Sequence, residues 1–566
     1  MPDETYQTLT QSIIQGAQTD HSRLALVFID DDGGEESIST ARFHGEALTY
    51  SRALREIGVE ENDLVILVLQ HSQMLLYAFW GAMYLGAIAS IFPYLTEKLD
   101  PAIYLEQVRA LVMHSKAKAV ITFPEFKDHL SKLLAETGTR VLSTAEVPQV
   151  KANPPESAFW PNHSAEKIAF LQHSSGTTGL QKGVALSHRS VLNQIRAYRQ
   201  AIRLNAQDVV ISWLPLYHDM GLIAGFVMPL VCGVPLVLMS PFKWVRDPKI
   251  LMQAIHRHHG TLCWLPNFAY NHSARAIRPR DMEELDLSSM RAFINCSEPV
   301  WMDSHQVFLN KFGPYGLNEQ ALSSCYAMAE NTFAVTQYPV GQKAPVDWVN
   351  TRKLQEQRKA DPDRPDLAVS TPLVSCGFSI PGTQICVVGE HGNQLPDRYI
   401  GEIALRSDCM LSGYYLRPEL TALAMRDGWY LTGDMGYIVG GELYITGRKK
   451  DLIIVGGKNI YPQDLEAIAN TTAGIIPGRC VAFGLFDKSL GSENVVMICE
   501  VENNAGNDEE KQQIEMELRR RIVQRSEVAL ADVRLVNKRW LIKTSSGKIS
   551  RSANREKYLK ELFEDE

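Results

Sequence analysis

"LQHSSGTTGLQKGVALSH", Leu171 to His188, sets a cluster of glycine, serine and threonine between two short apolar runs. The upstream run "EKIAFLQ" and the downstream run "GVALSH" have strand length, so the segment reads as strand, tight glycine-rich turn, strand. Such a turn aims consecutive backbone N–H groups into one concavity, which suits an anion. Ser175, Thr177 and Thr178 add hydroxyl donors, and Lys182 adds a compact positive charge. The spacing is not that of a nucleoside-triphosphatase loop, because no hydroxyl residue follows Lys182 to hold magnesium, and it is not a GxGxxG dinucleotide fingerprint. Taken alone, the loop fits a phosphate cradle and a solvated turn equally well.

Outward from it, strand-like runs ("DLVILVLQ", "AKAVITF", "DVVISWLP", "VPLVLM", "GTLCWLPN", "MRAFINC") alternate with helix-like ones ("YLEQVRALVMHSK", "RSVLNQIRAYRQAI"). That alternation predicts α/β architecture on parallel sheets. Near Thr383 the texture changes to short strands separated by glycines, "QICVVG", "GEIALRS" and "GELYITG", which predicts a smaller β-rich subdomain. After "GRKKD", Gly447 to Asp451, a separate module begins. Its helix is read from "NDEEKQQIEMELRRRIVQRS", where Ile514, Leu518 and Ile522 share one face, acids open the helix and arginines close it. Arg519 to Arg521 read either as a charged helix end or as a dock for an acidic partner. "NTRKLQEQRKADPDRPD", Asn350 to Asp366, is charged and poor in apolar residues, so it is expected as a surface insertion that adds little core.

At 566 residues the chain exceeds one hydrophobic core. A formal net charge of -8 argues against a broad nucleic-acid surface. The 9 cysteines are scattered without a CxxC pair, which fits reduced thiols in the cytoplasm and neither a disulfide framework nor a zinc site. The acidic, polar start "MPDETYQTLTQS" does not resemble a signal peptide. Two apolar runs, Leu75 to Leu95 and Gly221 to Met239, have the length of a bilayer span. Pro93 breaks the first, and Pro229 and Pro235 break the second, so both are expected as a buried helix followed by a buried parallel strand, without membrane insertion.

Further segments join the loop: "WLPLYHDMGL" (Trp213 to Leu222), "INCSEPVW" (Ile294 to Trp301), "CYAMAENT" (Cys325 to Thr332), "GWYLTGDMG" (Gly428 to Gly436), "YITGRKKDLIIVGGKNIYPQDLE" (Tyr444 to Glu466) and "KTSSGKISR" (Lys543 to Arg551). In this order they resemble the adenylate-forming superfamily of acyl-CoA synthetases, luciferases and peptide-synthetase adenylation domains, from about residue 40 to 560. Within it, "SEPV", "YAMAE", "LVSCG" and "GGKNIYPQDLE" are most similar to the fatty acyl-AMP ligases. The resemblance implies an N-terminal AMP-binding domain over residues 1–446 with an insertion at about 345–372, a hinge at 447–450, and a small mobile α+β C-terminal domain over 451–566. It also implies that the insertion restrains the C-terminal domain.

A carboxylate attacking the α-phosphorus of ATP brings two anions together, so the site needs cations and donors aimed at the developing charge. The resemblance makes Ser174, Ser175, Gly176, Thr177, Thr178, Gly179 and Lys182 the ATP phosphate loop. It gives magnesium to Glu330 and Thr178, through oxygen ligands. Adenine falls beside Ser297, Glu298 and Pro299, with Tyr326 offering its ring and Ala327 and Met328 following, while Asp434 and Arg448 match the ribose-binding positions. Lys548 matches the lysine that bridges carboxylate and α-phosphate, Lys450 the hinge residue, and His218 a gate or donor near the incoming carboxylate. Trp213, His218, Cys296 and Ala327 are the expected lining for the acid.

Gln181 stands where the family often has proline, and Ala327 and Cys296 stand where glycine is common. With Trp264 and Trp301 close in sequence to pocket-lining segments, this bulk predicts a short acyl tunnel or one suited to an aromatic acid. The expected partners are a fatty or other carboxylic acid and a phosphopantetheinylated acyl carrier protein. The alternatives are an acyl-CoA synthetase and a catalytically silent acyl-adenylate-binding protein.

Overall fold

The computed structural model describes residues 6–94, 101–147, 164–173, 182–455, 458–487, 492–502, 508–526, 528–544 and 547–564. In a seven-stranded sheet, Leu64–Val68 pairs in parallel with Ile88–Ile91 and Ala119–Thr122. Ile168–His173 joins Ile88–Ile91 in parallel, and Gly183–Ser187 returns antiparallel beside it with His173 opposite Gly183. The strand, turn, strand reading of the opening stretch therefore holds at both flanks. The loop itself lies outside the described residues.

A nine-stranded sheet carries Leu24–Ile29, Leu236–Met239, Val210–Ser212, Leu262–Leu265, Ala292–Asn295 and Leu322–Ala327, each parallel to its neighbour in that order. Helix Gln73–Leu85 is buried from Leu75 onward because it lies between the two sheets. Its Phe79 ring sits 5.4 Å from Phe170 of the first sheet and 6.1 Å from Phe226 beside the second, so one apolar core joins both. Apolar surface buried on every side explains the continuous hydrophobic runs. The second run forms a wholly buried π-helical turn, Met220–Val227, then helix Met228–Cys232 and buried strand Leu236–Met239. Among the described residues no helix is long and apolar enough to cross a membrane.

The β-rich subdomain is a five-stranded antiparallel sheet that includes Thr383–Val388, Gly401–Ser407, Trp429–Val439 and Glu442–Arg448. Glu442–Arg448 runs past residue 446 into the expected hinge, and a 3-10 turn, Lys449–Asp451, follows. The tail builds a three-stranded sheet from Ile475–Asp487, Ser492–Val501 and Leu530–Asn537, packed with helices Pro462–Asn470, Asp508–Ser526 and Arg551–Glu564. Leu518 and Ile522 are fully buried and Ile514 packs beside them, as their spacing predicts. Arg519 pairs with Glu515 and Arg520 with Glu517 within their own helix, while Arg521 donates to the Thr471 carbonyl at the C-terminal end of helix Pro462–Asn470 and ties the two helices together.

The insertion departs from its expectation. Val346–Asn350, helix Thr351–Gln357 and strand Ser370–Val374 form a folded unit, and Val349, Leu354 and Ala360 are buried against Tyr437, Tyr444 and Tyr461. Leu367 and Val369 stay exposed, and the charges pair among themselves: Lys353 and Lys359 both reach Asp361, and Arg352 reaches Glu356. The unit also touches the tail. Lys458 pairs with Glu356 at 3.1 Å, Arg358 donates to Asn459 Oδ1 at 3.3 Å, and Asn459 Nδ2 donates to the Gln355 carbonyl at 3.2 Å.

Candidate active site

Most of the candidate residues follow the C-terminal ends of parallel strands, where open α/β sheets bind ligands. His218 and Asp219 follow Val210–Ser212, Ser297 follows Ala292–Asn295, Glu330 follows Leu322–Ala327, and Lys182 closes the loop after Ile168–His173. At one side of the site, Asp434 and Arg448 are direct partners across two antiparallel strands, with Arg448 Nε 3.3 Å from Asp434 Oδ1. Tyr326 donates its hydroxyl to Asp434 Oδ2 at 2.6 Å. The Asp434 charge raises the Arg448 pKa, and burial with the same carboxylate holds the Tyr326 phenol well above its usual range. A fixed carboxylate acceptor and guanidinium donor facing one point suit a diol.

Lys548 comes from the tail. Its loop is closed by the Thr544 N–H donating to the Lys548 carbonyl at 2.7 Å, with Gly547 at φ 84°, a left-handed conformation that favours glycine. Lys548 Nζ donates to the Ser297 carbonyl at 2.5 Å, so the tail reaches across to the loop expected beside adenine. Ser297 itself is at φ 69°, which turns this carbonyl out of the path of its strand. Glu298 accepts the Phe268 N–H at 3.0 Å, close to the start of helix Asn267–Ala276, and so braces that loop. Pro299 lies in the same loop.

His218 is held neutral. Burial first, and the nearby Lys548 charge second, lower its pKa to about 3, and its Nε2 has no hydrogen-bond partner among the described residues. It can therefore donate or accept as a neutral ring but does not supply a cation. Asp219 shifts the other way: burial raises its pKa, against the pull of Lys548 and of the Met220 N–H that it accepts at 2.8 Å. Trp213 stacks on Trp244 with ring centroids 3.6 Å apart, and Phe268 meets both edge-on. Cys296 and Trp264 are fully buried, and Trp264 Nε1 donates to Tyr198 at 2.7 Å. Ala327 and Met328 pack at the edge of neighbouring core clusters. Lys450 sits beside Arg448, and burial with that like charge lowers its pKa.

Glu330 accepts the Tyr414 hydroxyl at 2.8 Å, and Lys182 lies 4.8 Å from the Tyr414 ring centroid. Among the described residues no group of three or more His, Cys, Asp or Glu side chains is arranged to hold a metal. Glu330 and Lys182 meet the same tyrosine, and a single carboxylate of this kind fits magnesium, which is commonly held by one or two carboxylates and by substrate phosphates rather than by a protein cage. Ser174, Ser175, Gly176, Thr177, Thr178, Gly179 and Gln181 lie outside the described residues. Sequence reading missed Asp219, Trp244, Tyr414 and Tyr430. Asp219 and Tyr430 lie inside quoted motifs, whereas Tyr414 lies outside them and meets Glu330 and Tyr430 only through folding.

The model of the AMP-binding enzyme family matches residues 14–415, and the chain belongs to that family, whose members use ATP. A long-chain-fatty-acid–AMP ligase of Mycobacterium bovis is 31% identical over 560 residues, covering 94% of this chain and 93% of the relative. On this basis the chain is a member of the fatty acyl-AMP ligase group. A medium-chain-fatty-acid–[acyl-carrier-protein] ligase of Moorena producens is 29% identical over 88% of this chain and 86% of its own length. A putative acyl-CoA synthetase of Caulobacter vibrioides is 31% identical over 94% and 92%. A solved structure from a study of fatty acyl-adenylate ligases of E. coli and L. pneumophila superposes over 99% of both chains with TM-score 0.90 at 26% identity.

Proposed function

We propose that this enzyme activates a fatty acid with ATP and passes the acyl group to the phosphopantetheine thiol of an acyl carrier protein. The observation that carries the first half is Lys548 Nζ at 2.5 Å from the Ser297 carbonyl, within a site that also holds Glu330, Asp434 and Arg448. A carboxylate oxygen attacks the α-phosphorus, the bond to the leaving pyrophosphate breaks, and acyl-AMP forms. Lys548 would lie between the two anions and offset their repulsion, Asp434 and Arg448 would take the ribose hydroxyls, and Lys182 with the Ser174 to Gly179 loop would hold the leaving phosphates. Magnesium held by Glu330, with Thr178 as a second oxygen ligand, would neutralise charge on the phosphates. The thiol sulfur then attacks the acyl carbonyl and AMP leaves, after the tail has turned about Lys450 and withdrawn Lys548.

Carrier protein rather than CoA as acceptor is supported by the clasp of the insertion on the tail through Glu356, Arg358 and Asn459, and by the name of the Moorena relative. The buried, unpaired thiols support a cytoplasmic setting. The Caulobacter relative favours CoA as the second reading. Radiolabelled ATP and a panel of acids, followed by CoA or carrier, test both. Acyl-AMP that survives CoA and is consumed by carrier supports the proposal, rapid acyl-CoA formation supports the second reading, and absence of acyl-AMP with every acid refutes both.

A further inference from the structure

Tyr414 is 5% exposed and takes part in three contacts at once. Its hydroxyl donates to Glu330 Oε1 at 2.8 Å and lies 2.9 Å from the Tyr430 hydroxyl, and its ring faces Lys182 Nζ at 4.8 Å. A phenol has one hydrogen, and that of Tyr414 goes to Glu330, so Tyr430 must donate to Tyr414. The short strand Gly413–Tyr414 pairs antiparallel with Gly183–Ser187, with Tyr414 opposite Val184, which anchors it to the strand that follows Lys182. The Tyr414 N–H is held by Thr421 Oγ1 at 2.9 Å, and the Leu411 N–H donates to the Glu330 carbonyl at 2.8 Å. Backbone and side chain thus tie the segment from 411 to 414 both to Glu330 and to the end of the phosphate loop.

We propose that Tyr414, backed by Tyr430, is a positioning residue that sets the Glu330 carboxylate and the Lys182 ammonium relative to each other, so that metal and phosphates are received together. The inference rests on the reading of Glu330 as the magnesium carboxylate and of Lys182 as a phosphate ligand. The two contacts are separable, because the hydroxyl serves Glu330 and the ring serves Lys182. Tyr414→Phe removes the first and keeps the second. Tyr414→Leu removes both.

The test measures ATP binding by equilibrium dialysis without metal, then Mn2+ binding to the enzyme with ATP by electron paramagnetic resonance, with no acid present. Tyr414→Phe is expected to bind metal-free ATP like the wild type but Mn2+ about tenfold more weakly, as befits loss of a hydrogen bond to a charged group. Tyr414→Leu is expected to lose in addition about two- to fivefold in metal-free ATP affinity. Tyr430→Phe leaves the Tyr414 hydroxyl in place, so a smaller weakening of Mn2+ binding is expected, and this variant carries the test if either Tyr414 variant unfolds. Wild-type Mn2+ affinity in Tyr414→Phe, or in Tyr430→Phe should that variant have to stand in, overturns the inference alone. A wild-type enzyme that binds no ATP in either medium overturns it together with the functional reading.

Discussion

Replacing Asn459 by alanine should loosen the clasp between insertion and tail. Asn459 is 7% exposed, accepts from Arg358 and donates to the Gln355 carbonyl at 3.2 Å. Gln355 lies in the last turn of helix Thr351–Gln357, so its carbonyl has no N–H partner within the helix. The substitution therefore leaves a buried acceptor unsatisfied, at about 1–3 kcal/mol. The remaining Lys458–Glu356 pair has both side chains about one-third exposed and contributes about 0–1 kcal/mol. A net loss of about 2 kcal/mol multiplies the undocked population of the tail by roughly 30. Two half-reactions read this out in one preparation: acyl-AMP formation trapped with hydroxylamine, and AMP release from acyl-AMP on adding CoA. Trapped acyl-AMP should form at the parental rate while CoA-dependent release rises by roughly the same factor of 30. Equal CoA-dependent release in the two proteins would refute the clasp, and a parallel loss of both half-reactions would mean that Asn459 supports the fold instead.

Lys548→Met should lower acyl-AMP formation by about 100- to 1000-fold, while acyl transfer from supplied acyl-AMP persists, as rapid-quench assays of each step will reveal. Its loss should also raise the His218 pKa from about 3, since the Lys548 charge contributes to that depression after burial, and a histidine-resolved NMR titration checks it. His44, His173 and His305 are each buried with pKa lowered from 6.5 to about 4 by desolvation. The unfolded chain thus binds more protons between these values, and stability falls as pH drops from about 6.5 towards 4, by up to about 3 kcal/mol per histidine. Thermal melts across that window should shift steeply, and a flat profile would refute neutral burial. The buried Trp264 and Cys296 predict that medium-length or aromatic acids are activated better than palmitate-sized ones, and a chain-length profile led by palmitate would overturn this.

The parallel sheets were legible because their strands are buried on both faces and read as unbroken apolar runs, Leu64–Val68 being the clearest. Asp434, Arg448, Glu330 and Lys548 were legible as candidates because ordered motifs carry them. Tyr414 was not, because a hydrogen bond to Glu330 across 84 positions leaves no local pattern. The insertion misled for a related reason: Val349, Leu354 and Ala360 follow neither a helical nor a strand period, and only distant tyrosines, two in the β-rich sheet and Tyr461 of the tail, give them something to bury against. Asp219 was passed over although its neighbour was chosen, since its distinguishing property, enclosure beside Lys548, depends on a residue that only folding brings from the tail.

That last point bears on turnover. The cation that would offset repulsion between carboxylate and α-phosphate is the same one whose charge, after burial, keeps His218 neutral and restrains the upward shift of Asp219. Withdrawal of Lys548 would therefore change the electrostatics of this side of the site twice over: a cation would leave, and both His218 and Asp219 would become easier to protonate. The Ser297 carbonyl, which accepts from Lys548 in this arrangement, would at the same step lose its charged donor. Departure of the ammonium would disfavour a second anion when acyl-AMP, with its one phosphate, must stay and a neutral thiol must enter, while easier protonation of His218 and Asp219 would partly offset the lost positive charge. A site assembled from sheet ends plus a removable lysine can thus separate its two half-reactions by charge as well as by shape.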